Sequence, residues 1–262
     1  MPPASAARKD DALTIVSLAI LACILQDILH EGLGHGVTAW LSGARLVTIS
    51  TVAMQSDIST RWISANGTIV NLIVAAIIWI ILRSRPANST FRYFLILALA
   101  GNLFTGTGYF LFSGFTDFGD WAAVIKGFHP RWAWRVALIV IGLISYYASM
   151  LIVASELRPY QSSAYRRIRR LTWIPYFTDG ILAAVAGVFN PARLFYVIAS
   201  ALPSTLGANA GLLSLPSMLR NRTLAEDSQL APIPRSIPWI AAAAVATVWF
   251  VFVLGRGLTW SR

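Results

Sequence analysis

The chain has 262 residues, of which 56% are hydrophobic and 12% charged, and it carries a formal charge of +10. An ordinary soluble domain is about 25% charged, so composition excludes that class and most of the surface must meet lipid. One cysteine, Cys23, excludes an intramolecular disulfide. The basic excess sits at the ends of apolar runs, where it reports topology and leaves no soluble surface for nucleic acid.

A helix needs about 20 mostly apolar residues to cross roughly 30 Å of hydrocarbon. Behind a short polar stretch, the first such run covers residues 13–40, too long and too specifically polar for a signal peptide. Residues 44–59 are too polar to cross. Within them, Leu46-Val47-Thr48-Ile49-Ser50-Thr51-Val52 is rich in β-branched residues and predicts a short strand or hairpin at the membrane surface. Runs at 63–82, 91–112 and 133–156 follow. The basic run 165–170, with Arg158 before it, reads as a cytoplasmic loop. Counting back from it places Arg83, Arg85, Arg92 and the N-terminus with Arg8 and Lys9 on the same side. Region 171–218 is broken by Pro175, Pro191, Pro203 and Pro216; it holds two spans, or one span plus a re-entrant or interfacial helix. The last run, 237–254, is uniformly apolar and reads as a lipid-facing helix without chemistry. The expected fold is all-α and polytopic: a single integral membrane domain over residues 1–262, with about six transmembrane helices and a hairpin-like segment between the first two.

The first run contains Asp27, His30, Glu31 and His35. A charged acid near mid-bilayer costs about 2.5 kcal/mol or more, so this group should face a protein interior and mark a functional site. Imidazole nitrogens suit zinc, and an adjacent carboxylate can take a proton from water activated by the ion. The familiar zinc-peptidase spacing is His-Glu-x-x-His; here the histidines are five apart, which on a regular α-helix turns them about 140° from one another. A one-residue π-bulge would bring them together, and Gly32 and Gly34 between them permit it.

His30-Glu31-Gly32-Leu33-Gly34-His35-Gly36, followed by Ala39-Trp40-Leu41 and Gly43-Ala44, resembles the first motif of the site-2 proteases, intramembrane zinc metalloproteases, with one residue inserted. The longer spacing itself is similar to that of the dipeptidyl peptidase III family. Asn66-Gly67-Thr68-Ile69-Val70-Asn71-Leu72 resembles the site-2 protease segment Gly-Pro-x-x-x-Asn, with Thr68 in place of proline. The resemblance covers about residues 20–125, leaving 126–262 as additional spans, and no PDZ-like insert is present. It implies a zinc-dependent peptidase in which Glu31 is the general base and Asn71 orders the site or substrate. His30 and His35 would bind Zn2+ with an Asp from a later segment. Asp120 is favoured for that place and Asp117 comes second, both in Ser113-Gly114-Phe115-Thr116-Asp117-Phe118-Gly119-Asp120-Trp121; Asp179, in the segment Pro175 to Gly180, is the alternative. It further implies a membrane-protein or peptide substrate and a place in the bacterial inner membrane, where the charge count above expects the N-terminus to be cytoplasmic.

Blander roles compete for the same residues. A buried polar network packing helices would account for the histidines and Glu31. Asp27 reads as a helix-packing group or a partner orienting a histidine, His129 as a surface residue, and Asp117 and Asp120 as loop or capping residues. Asn71 and Asn102 read equally well as interhelical hydrogen-bond groups. Trp62, Trp132, Trp134 and Trp239 fit an interfacial aromatic belt. The rival functions are a non-catalytic scaffold of the same ancestry and a small transporter using the intramembrane acids as a proton or ion relay.

Overall fold

A computed structural model describes residues 9–84, 90–161, 165–190, 203–220 and 231–260; Arg8, Arg85 and Pro191 lie outside them. Among the described residues, six helices are long and apolar enough to cross a membrane. We name them α1 (Ala12–Leu41), α2 (Arg61–Ser84), α3 (Thr90–Thr116), α5 (Arg131–Tyr160), α6 (Tyr165–Val188) and α8 (Ile237–Leu254). Two shorter helices are α4 (Asp120–Val124) and α7 (Gly211–Arg220).

α3 is the axis of the bundle. In its most apolar stretch 67% of the residues are buried, against 22% in α5 and in α8, so α3 is enclosed by neighbours while those two present wide apolar flanks. Val136, Val140, Ile144, Val245, Val248 and Phe252 are exposed on these flanks, a surface suited to hydrocarbon and costly in water. α8, expected to be wholly lipid-facing, also packs on α1 and buries Phe250, Val251 and Leu254.

Charged residues tie the helices at one end. Arg167 makes a bidentate pair with Asp10 (3.0 and 3.1 Å), whose Oδ1 also accepts the Ile233 N–H. Arg92 on α3 reaches Glu156 on α5 at 2.7 Å and the Leu82 carbonyl of α2 at 3.0 Å. The basic run at 165–170 is therefore not a loop but the first turns of α6, stabilised by these partners and by Arg169 lying over Trp173 at 4.4 Å. Further along α6, Pro175 lacks the N–H that would bond the Leu171 carbonyl. The Tyr93 hydroxyl of α3 supplies that bond at 2.6 Å, so the helix continues through the proline.

Among its described residues the proline-rich region contains one span, α6. The described residues after it form a π turn at Pro203–Gly207, a 3-10 turn at Ala208–Ala210 and α7. A ten-residue helix rises about 15 Å, half of what a crossing requires. α7 starts deep in the bundle, where Tyr146 binds the Ala208 carbonyl and the Gly211 N–H, and ends where the Leu219 carbonyl accepts from Gln161.

At the opposite end lies a small antiparallel sheet of order β2-β1-β3, with β1 at Leu46–Ile49, β2 at Met54–Ser56 and β3 at Leu258–Thr259. The hairpin matches the β-branched segment. The third strand is contributed by the chain just beyond α8, turned back at Gly257 (φ 81°).

Candidate metal centre

Within α1, residues Ile28–Val37 are π-helical. A π-helix closes hydrogen bonds between residues five apart, so the five-residue separation of His30 and His35 places them on one face. Their Nε2 atoms stand 3.2 Å apart. Two glycines allow this. A Cβ on Gly34 would collide with the backbone of Gly67 on α2, and one on Gly67 would overlap the His35 ring and lie 2.8 Å from His30 Cε1. Both positions therefore need glycine for α1 and α2 to touch and for the rings to fit.

Each ring is held by its other nitrogen. His35 Nδ1 lies 2.6 Å from the Ile63 carbonyl, which can only accept, so Nδ1 carries the proton and Nε2 its lone pair. His30 Nδ1 lies 2.7 Å from Asn71 Oδ1. The Asn71 amide is oriented by donating through Nδ2 to Asn102 Oδ1 (2.8 Å) and to the Gln26 carbonyl (3.3 Å). Asn102 in turn donates to the Ala98 carbonyl at 2.8 Å. This chain across α3, α2 and α1 is the kind of outer support that orients metal-binding imidazoles. Asp27, expected to orient a histidine, orients neither. Tyr109 of α3 stacks on His30, ring centroids 4.9 Å apart.

Asp120 completes the group. Its Oδ2 is 3.2 Å from His30 Nε2 and 3.4 Å from His35 Nε2, with the side chain 19% exposed. A tetrahedral ion with bonds of about 2.0–2.1 Å spaces its ligand atoms about 3.3–3.4 Å apart, which this triangle matches. Two imidazole nitrogens and a carboxylate oxygen this close need positive charge among them, supplied by a metal ion or by protons on the Nε2 atoms. Burial pushes the Asp120 carboxyl up, but the charge and hydrogen bonds of His35 and His30 outweigh it and hold the group below the usual carboxylate range. His30, His35 and Asp120 are thus a group able to hold a metal ion.

The loop after α3 is built to present Asp120. Asp117 and Gly119 both take positive φ (57° and 85°), reversing the chain. Asp117 is directed to a bidentate pair with Arg131 (2.6 and 3.0 Å), which holds its carboxyl below the usual range, and it stands apart from the three-residue group. Arg135 caps the end of α3 through the Gly114 and Phe115 carbonyls. Next to Asp120, Trp121 stacks near Phe110 and donates from Nε1 to Thr68 Oγ1 at 2.9 Å. Thr68 stands where the resembled motif has proline, and here its hydroxyl anchors the segment carrying Asp120. Asp179 lies deeper, bonded to Asn209, and His129 is exposed and outside the group.

Glu31 is buried beside the group, not in it. Its Oε2 accepts the Met54 N–H of β2 at 2.6 Å. With His35 and Asp120 it lines a groove of about 880 Å³ whose other wall includes β2. The roles of Ile63, Tyr109 and the Trp121–Thr68 pair carry no signal in the sequence, because each depends on which helices become neighbours. Comparison with models of known families, with curated proteins and with solved structures finds no match to this chain.

Proposed function

We propose that the protein is an intramembrane zinc peptidase that hydrolyses peptide bonds at the level of the β-sheet end of the bundle. The observation that carries this reading is the convergence of His30 Nε2, His35 Nε2 and Asp120 Oδ2 within 3.2–3.4 Å, each imidazole pinned through Nδ1, with a carboxylate on the adjoining groove wall. His30, His35 and Asp120 would hold the ion. Bound zinc polarises a carbonyl and lowers the pKa of water toward 7. Glu31 takes a proton from the attacking water as the C–O bond forms, and delivers it to the amide nitrogen as the C–N bond breaks. The Met54 N–H fixes Glu31 for this work. β2 is an edge strand lining the groove, so its outer backbone edge, apart from the Met54 N–H held by Glu31, suits an extended peptide better than a compact ligand.

The basic residues gathered at the Asp10–Arg167 end support a cytoplasmic N-terminus by the positive-inside rule, with the groove at the outer face. The test is zinc content, followed by cleavage of a model transmembrane peptide in proteoliposomes. One zinc per chain is expected, lost in His30→Ala and His35→Ala; Glu31→Gln should keep the metal and lose cleavage. Cleavage surviving in Glu31→Gln would overturn the mechanism. Absence of zinc from the unaltered protein would favour the non-catalytic scaffold.

A further inference from the structure

Behind Glu31 a second cavity, of about 30 Å³, lies between α1, α3, α6 and α8. It shares Glu31, Val52 and Tyr109 with the groove. It also shares Cys23 and Gln26 with a third cavity of about 10 Å³ deeper in the bundle. Four buried polar atoms of these two walls have no partner among the described residues: Thr51 Oγ1 and Asp27 Oδ2 in the second cavity, Asp179 Oδ1 and Asn209 Oδ1 in the third. Asp179 and Asn209 are only 7% and 2% exposed, and the bond from Asn209 Nδ2 to Asp179 Oδ2 leaves the Oδ1 atom of each unused.

At this depth such groups are costly to leave unsatisfied. No lysine or arginine lines either cavity, and the one histidine, His30, already uses Nδ1 on Asn71. What the walls lack is a donor small enough to enter. The two spaces have room for about two water molecules and one, with polar groups on several sides as buried water requires.

We infer that these cavities hold a file of bound water reaching from behind Glu31 to the Asp179–Asn209 pair. It lies on the opposite side of Glu31 from the groove, so it supplies water to the reaction while a substrate chain fills the groove. The supply role rests on the hydrolytic reading above; the hydration does not.

Cys23, the single cysteine, lines both cavities and is the reporter. The full chain in lipid nanodiscs is exposed to a brief X-ray pulse, which converts bound water to hydroxyl radicals that oxidise adjacent sulfur, and oxidation is read by mass spectrometry. Cys23 should be oxidised well ahead of Met150, which is packed against the apolar core. Ala183→Leu, filling the second cavity, and Asp179→Leu, filling the third, should each slow Cys23 several-fold and leave Met150 unchanged. If one variant fails to fold, judged by helicity and melting, the other carries the comparison. Cys23 oxidised no faster than Met150, or unaffected by filling, overturns the inference. Fast Cys23 oxidation in a protein that cleaves nothing supports the water file and removes only its hydrolytic use.

Discussion

His30 and His35, five residues apart in the chain, bring their Nε2 atoms to 3.2 Å because α1 is π-helical between them. Any metal bound between them would therefore be coupled to this local backbone. Zinc should raise the melting temperature of the detergent-solubilised protein and a chelator should lower it. Saturation at about a hundredfold over Kd corresponds to about 2.7 kcal/mol. Asp120→Asn should abolish the response, whereas Asp117→Asn, paired to Arg131 instead, should keep it.

Asn71 and Asn102 would act on a bound ion through His30. Replacing Asn71 by Ala should weaken zinc affinity by about 10–100-fold, the range for partners of metal-binding histidines. Asn102→Ala should act in the same direction but less, since Asn71 keeps its bond to the Gln26 carbonyl. Competition titration with a zinc indicator measures both. Equal affinity in Asn71→Ala and the unaltered protein would contradict the chain of support.

Thr68 holds Trp121, and through it the segment bearing Asp120. Thr68→Val removes the acceptor at nearly constant volume and should weaken zinc several-fold, while Thr68→Ser should restore it. Faster hydrogen exchange across residues 117–126 in Thr68→Val would accompany the loss.

Gly67→Ala places a methyl group in the space of the His35 ring. Zinc binding should be lost although every ligand is present. Binding retained there would mean that the two helices separate more readily than their backbone contact implies.

Glu156 is buried with Arg92 at the far end of the bundle. Glu156→Gln removes the carboxylate from a buried charge and should cost about 3–5 kcal/mol of stability. Zinc affinity should be unchanged in molecules that remain folded, which calorimetry and the titration above separate.

The first span and its polar group are legible in sequence because four ionisable side chains stand out in an apolar run, and the five-residue spacing itself demands a departure from regular α-helix. The hairpin is legible from its β-branched residues. β3 is not: two residues far along the chain carry no strand signal, and only the approach of the α8 end to β1 creates the strand. The start of α6 was obscured because arginines at a helix end and arginines in a loop look alike until Asp10 is found beside Arg167. Likewise nothing local to Thr68 or Trp121 announces their bond, since they meet only once α2 and α4 have packed.

The pairing of β3 with β1 sets an order of assembly. β1 is flanked on one side by β2, its immediate successor in the chain, and on the other by a strand synthesised after the six described spans. While the chain is being made β1 has a bare edge, and the sheet that holds Glu31 through Met54 is complete only when the segment after α8 arrives. Completion of the sheet is thereby postponed until the six described spans have been made.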